Sequence, residues 1–177
     1  TTTQLASLTT SQFAGISTTG INAMTTTQLA GLSATTVAGL SNLQQAALST
    51  TAVAALSTTQ LAGLSSSDFA AFNSTQMGGL TTTQVAGLTI TALDGLTPAL
   101  LNALSTTNFF ALTSTQLGSL STLQVRGFST TVMSVLSTTA LAGLTGTTLS
   151  GLTATQVNAL STTAIASLSI TQLDNFS

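Results

Sequence analysis

Thr81-Thr82-Thr83-Gln84-Val85-Ala86-Gly87-Leu88 is one copy of an eight-residue unit that fills the chain. From Thr1 to Phe176 the 177 residues divide into 22 consecutive octads without insertion or deletion, and only Ser177 is left over. Octads are numbered 1 to 22 in chain order, and positions within each run from one to eight. The consensus is Ser/Thr-Thr-Thr-Gln-apolar-Ala-small-Leu, equally clear from Thr25 to Leu32 and from Ser57 to Leu64. A fixed short period marks a quasi-one-dimensional array whose length reports copy number, so residues 1–177 read as one uninterrupted array with no separate domains.

The spacing within the octad points to a helix. Position eight is apolar in every copy, and position five in every copy except Gln45. Two apolar residues three apart share one face of a helical turn, whereas in a strand they face opposite ways. Position one is Ser or Thr in all copies but one, Asn73, and all three types are preferred N-caps. Position four then becomes N3, where Gln recurs (Gln4, Gln28, Gln60, Gln84, Gln116, Gln156) and Asp68 stands once. Ser/Thr-x-x-Gln is a capping box, and the apolar residues at positions eight and five form the hydrophobic staple around it. The single proline, Pro98, falls at N1, where a missing amide hydrogen costs least. Gly or another small residue at position seven suits a helix end in the left-handed conformation.

A continuous helix is excluded, because eight residues at about 100° each advance about 800° and leave the apolar pair rotated by about 80° per octad. The expected fold is therefore an all-α solenoid of very short capped helices built from 22 octapeptide repeats. Isolated helices of this length do not persist in water, so stacking between octads must hold them. Positions five and eight are expected to fill a central core, with small residues at position seven letting layers approach. Position three is expected to face the next layer, and positions two and six solvent. Gln45 marks a local departure, and Leu43 at position three is expected to fill the space it vacates. The alternative is a β-solenoid with Thr and Gln ladders, since Thr, Val and Ile favour strands. It gives no reason for the run of N-cap residues or for Pro98.

Composition narrows the function. Charged residues make up 2% of the chain (Asp68, Asp94, Asp174 and Arg126) against about 25% on average. One Arg and no Lys cannot form the basic face that nucleic acid or anionic lipid requires. Hydroxyl triplets interrupt every apolar stretch, so no window approaches the ~18 to 20 apolar residues of a membrane span. With no His, Cys, Tyr or Glu, the usual routes of acid–base, nucleophilic and metal chemistry are missing, and no catalytic, cofactor-binding or metal residue is assigned. The expectation is that the protein is not an enzyme. Asp94 and Asp174 share position six but lie ten octads apart. Phe13, Phe69, Phe72, Phe109, Phe128 and Phe176 are core by position, as are Met24, Met77 and Met133, while Phe110 at position six is placed at the surface. Asn73-Ser74-Thr75 and Asn175-Phe176-Ser177 match the N-glycosylation pattern, and the abundant hydroxyls offer acceptors for O-linked glycans.

Leu80 to Leu88, Leu-Thr-Thr-Thr-Gln-Val-Ala-Gly-Leu, resembles Thr/Gln/Leu octapeptide-repeat tracts of very large bacterial cell-surface or secreted repeat proteins. The resemblance covers the whole chain and implies an extracellular or cell-surface part with a structural or adhesive role. It carries over no site residues. Octad 1 and octad 22 follow the interior pattern rather than that of the polar capping repeats usual in soluble solenoids, so both ends are expected to be adhesive. End-to-end stacking would give an open filament, with the chain itself as partner, and the uncharged surface would allow lateral bundling into a matrix or sheath fibre. The chain starts within the pattern and without Met, as expected for a processed product or an excerpt of a longer array. Two other readings are a passive stalk of a large adhesin, and binding of ice or polysaccharide through a regular Thr array.

Overall fold

The computed structural model describes residues 2–174, so the core role expected of Phe176 and the pattern at Asn175 lie outside the described residues. Each octad forms one helix of four to six residues, from α1 (Thr2–Ala6) to α22 (Ile170–Leu173). No strand occurs among the described residues, and the β-solenoid alternative falls with that.

The octad folds as its capping residues dictate. In octad 4 the N-cap Thr25 is extended (φ −73°, ψ 156°), and its hydroxyl oxygen accepts from the backbone N–H of Gln28. Gln28 Oε1 accepts in return from Thr25 N–H at 2.8 Å. Every N-cap from Thr9 to Ser169 accepts a bond from the amide of position four in this way. Short helices leave most of their terminal amides unpaired, so this repeated capping, typically about 1 kcal/mol per site, is a large part of their local stability. Pro98 stands at N1 as its missing N–H requires. Position eight closes the turn, as in Leu32 N–H donating to the Leu29 carbonyl at 3.1 Å. Positions eight and one are then extended and swing the chain into the next helix, as Leu56 (φ −66°, ψ 138°) and Ser57 (φ −71°, ψ 158°) show.

Successive helices coil so that each packs on the one three octads later: α4 (Thr26–Ala30) on α7 (Thr50–Ala55), and α15 (Ser114–Ser119) on α18 (Thr138–Gly143). The interior is the expected stack of positions five and eight. Position five is buried from Phe13 to Leu149 and position eight from Leu32 to Leu144. Large side chains interlock there, with the rings of Phe109 and Phe128 edge to face at 5.2 Å and those of Phe69 and Phe72 tilted at 5.4 Å.

Four positional expectations need correction. First, no residue among those described has positive φ, so the glycines at position seven do not serve a left-handed turn. They serve close approach, since position seven lies on position two of the octad three earlier. A Cβ on Gly143 would lie 2.9 Å from Ser114 Cα and 3.0 Å from its carbonyl oxygen. Second, position two is accordingly part-buried in several octads (Ala34, Thr50, Thr58, Ser66, Pro98) rather than uniformly solvent-facing. Third, position three never faces the next layer, because it is exposed in all 22 octads. Fourth, Leu43 is 76% exposed and Leu123 73%, so Leu43 fills no space near Gln45. Position three stands on the outer flank of each helix, opposite the axis toward which positions five and eight point. Phe110 is exposed, at 47%, as placed.

Candidate functional site

The distinctive chemistry of the chain lies in how one turn of the coil is fastened to the next. Position eight sits between helices, so its carbonyl has no helical amide to accept from, and buried carbonyls without partners are costly. Where position four, four octads later, carries an amide, that side chain supplies the donor. Gln60 Nε2 donates to the Leu29 and Leu32 carbonyls at 2.9 and 2.8 Å, and Gln84 Nε2 to Val53 and Leu56 at 2.9 and 2.7 Å. The same link recurs for Gln44, Gln76, Gln116, Gln124, Gln156 and Gln172. Each of these amides thus works at both ends. Its oxygen closes the capping box of its own octad, as in Ser57 N–H to Gln60 Oε1 at 2.7 Å, and its nitrogen ties down the previous turn. Helix packing at three octads and amide links at four place one turn of the coil between three and four octads.

Position four is therefore a third interior position, which the capping-box reading did not reveal. It is buried through most of the array, as in Gln60, Gln84 and Gln124. In the first turn, where no octad stands four steps earlier, Gln12 is exposed and Gln28 part-buried. Those two glutamines close their capping boxes but make no interlayer bond. One signal for the second role was present in the sequence. A capping box accepts Glu as readily as Gln, yet the chain has Gln and no Glu, because only the amide can also donate.

Two departures from consensus are explained by the same geometry. Asp68 at position four has no donor for the Leu40 carbonyl; Gln45 provides it, with Nε2 donating to Leu40 O at 3.2 Å and to Asp68 Oδ1 at 2.9 Å. Gln45 is thus a substitute fastener at a core position, and its buried Oε1 has no partner. Octad 17 lacks a capping Gln because Val132 holds position four. There Asn102, one turn earlier, accepts from Ser129 N–H at 2.9 Å and donates to the Gly127 carbonyl at 2.8 Å.

The pattern stops at the two ends of the array. At the C-terminal end Ile165 is 39% and Leu173 47% exposed, at a position fully buried in the interior. Leu152, Val157, Leu160, Ile165, Leu168 and Leu173 line a cleft of about 470 Å³ there. At the N-terminal end Leu5, Leu8, Ile16 and Met24 are only partly buried.

Elsewhere the surface is mostly hydroxyl and methyl. Asp94 and Arg126 are exposed, and no group of three or more potential metal ligands occurs among the described residues. Asn73 serves as an N-cap, its Oδ1 accepting from Gln76 N–H at 3.0 Å. No helix among the described residues is long and apolar enough to cross a membrane. No protein-family model, no curated protein and no solved structure matches the chain.

Proposed function

We propose that the chain is a structural protein of the cell surface or extracellular space, a rod that extends by stacking end to end into a filament or matrix fibre. The observation that supports this reading is that turn after turn is fastened by the same helix packing and position-four amide links, a contact that a joint between two copies repeats. Apolar area removed from water at such a joint stabilises it by about 25 cal/mol per Å², and a net charge of −2 opposes association weakly. A contact between unlike ends is heterologous and does not close, so it propagates as an open polymer. The outward hydroxyls, chiefly those of position three, provide an uncharged flank for lateral bundling and acceptors for O-linked glycans.

Sedimentation velocity over a concentration series, followed by cryo-electron microscopy, tests the reading. Concentration-dependent rods of one uniform diameter are expected. Discrete monomers at all concentrations would return the protein to the role of a passive stalk within a larger chain. A second reading, recognition of ice or a crystalline polysaccharide, is favoured by one observation, the exposure of every position-three residue, 17 of which are Thr. Thermal hysteresis, or retention on cellulose or chitin, would support it, and neither is expected of a rod that only polymerises.

A further inference from the structure

We infer that Asn73 is an N-glycan acceptor, a modification site whose use leaves the helix cap at the same residue intact. This rests on the cell-surface or extracellular reading, since glycans of this linkage belong to exposed segments of secreted chains.

Asn73 is the one first-position residue of the 22 octads that is neither Ser nor Thr. All three types cap a helix with an oxygen, but only asparagine brings a nitrogen as well. Asn73 Oδ1 accepts from the Gln76 N–H at 3.0 Å, and the Asn73 N–H donates to Gln76 Oε1 at 2.9 Å, so the capping box closes without Nδ2. Where Thr9, Thr25 or Ser121 caps, the hydroxyl also donates to the glutamine oxygen of its box, at 3.0 to 3.1 Å. Asn73 Nδ2 makes no such bond, and the residue is exposed.

The octad supplies the rest of the acceptor. Transfer to asparagine needs a hydroxyl two residues on and any residue but proline between. Ser74 and Thr75, both exposed in the first turn of α10 (Ser74–Gly78), meet these conditions. The other described asparagines, Asn22, Asn42, Asn102, Asn108 and Asn158, have Met, Gln, Leu, Phe and Leu at that distance. The space beside Asn73 also suits a sugar. A cleft of about 670 Å³ opens there between the starts of octads 7 and 10, and its walls carry the hydroxyls of Ser49, Thr50, Ser74 and Thr75. Its size falls within the ~300 to 1,000 Å³ of small-molecule sites, and hydroxyls that both donate and accept match those of a sugar ring. In the transfer, Nδ2 bonds to the anomeric carbon of a diphosphate-activated glycan and gives up one proton. The bond from that carbon to the phosphate oxygen breaks, and the diphosphate leaves with the electron pair. Oδ1 keeps its bond from Gln76 throughout.

Peptide mass spectrometry with electron-transfer fragmentation tests the site, on the chain isolated from its native source and fractionated into cell surface, medium and cytosol. Elastase digestion suits a chain with one Arg and no Lys. Glycan mass on Asn73, with none on Asn42, Asn102, Asn108 or Asn158, is expected. Asn73→Ser installs the cap residue of other octads, so it should keep the fold by circular dichroism and lose the glycan completely. Thr75→Ala keeps the asparagine and should lose it too. Glycan lodged on Ser74 or Thr75 instead, and retained in Asn73→Ser, would overturn the site. Unmodified Asn73 in a chain recovered from the surface or medium would overturn the site and leave the extracellular reading standing. A chain confined to the cytosol would overturn that reading, and with Asn73 unmodified there both fall.

Discussion

Replacing Gln84 separates the two roles assigned to position four. Its Oε1 accepts from Thr81 N–H at 2.8 Å, and its Nε2 donates to the Val53 and Leu56 carbonyls at 2.9 and 2.7 Å, all in a side chain 3% exposed. Gln84→Ala removes these three bonds together with a longer one, from the Thr81 hydroxyl to Oε1 at 3.2 Å. Val53 O keeps the Leu56 N–H, but Leu56 O is left buried without a donor. At about 0.5 to 1.5 kcal/mol net for each of the three shorter bonds, with about 1 to 3 kcal/mol for the stranded carbonyl, the loss should be about 2.5 to 7.5 kcal/mol. Gln84→Glu is the sharper variant. It keeps the capping box and adds a favourable charge at a helix N-terminus, so a purely local role predicts stability equal to or above wild type. In the structure it turns an oxygen toward two carbonyls and buries a charge, so at neutral pH it should be the less stable of the two variants. Those carbonyls favour the protonated acid, which raises its pKa on folding. The folded state then gains as protons bind, and stability should recover as pH falls from 7 toward 4. Urea melts followed at 222 nm, at both pH values, measure this, with Gln12→Glu as the exposed control expected within about 0.5 kcal/mol of wild type. A Gln84→Glu chain as stable as wild type at pH 7 would refute the interlayer link.

Other substitutions probe the remaining contacts. Gly95→Ala would place Cβ 2.6 Å from the Ser66 carbonyl carbon and should cost about 1 to 3 kcal/mol in a urea melt. Gly15→Ala, where the nearest atom is the Gln12 carbonyl oxygen at 3.3 Å, should be neutral or gain about 0.4 to 1 kcal/mol. Gln45→Leu with Asp68→Gln restores the consensus and removes a buried unpartnered oxygen; the double variant should exceed wild type by about 1 to 3 kcal/mol. A double-mutant cycle should show that the two changes are coupled, and strict additivity would disprove the compensation. Leu43→Thr should leave the melting midpoint unchanged within about 0.5 kcal/mol, whereas a larger loss would place Leu43 in the interior after all.

Local structure was legible because every local signal agreed: a hydroxyl or Asn at position one, Gln three residues on, Pro98 only at N1, and apolar residues at five and eight. What joins the turns was not. Gln84 already had an explanation in its own octad, and nothing in eight residues announces a second partner 28 and 31 residues away. The number of octads per turn depends on the extended pair at positions eight and one, whose torsions composition does not fix. Gly143 was read as a helix stop because that is the commonest use of glycine there; its real constraint, the backbone of Ser114, lies on another turn. The apolar character of Leu43 suggested burial, but at position three the helix faces outward whatever residue stands there.

A turn that is not a whole number of octads means that no unit rests squarely on another. Each octad bears on two in the course beneath it, packing on one three steps back and tied by its amide to one four steps back. This is the running bond of brickwork, in which vertical joints never line up. A crack that opens between two octads meets an unbroken unit in the next course, so axial tension is shared among neighbouring courses rather than parted along a seam. The same bond tolerates a wall of any height, provided that bricks are added whole.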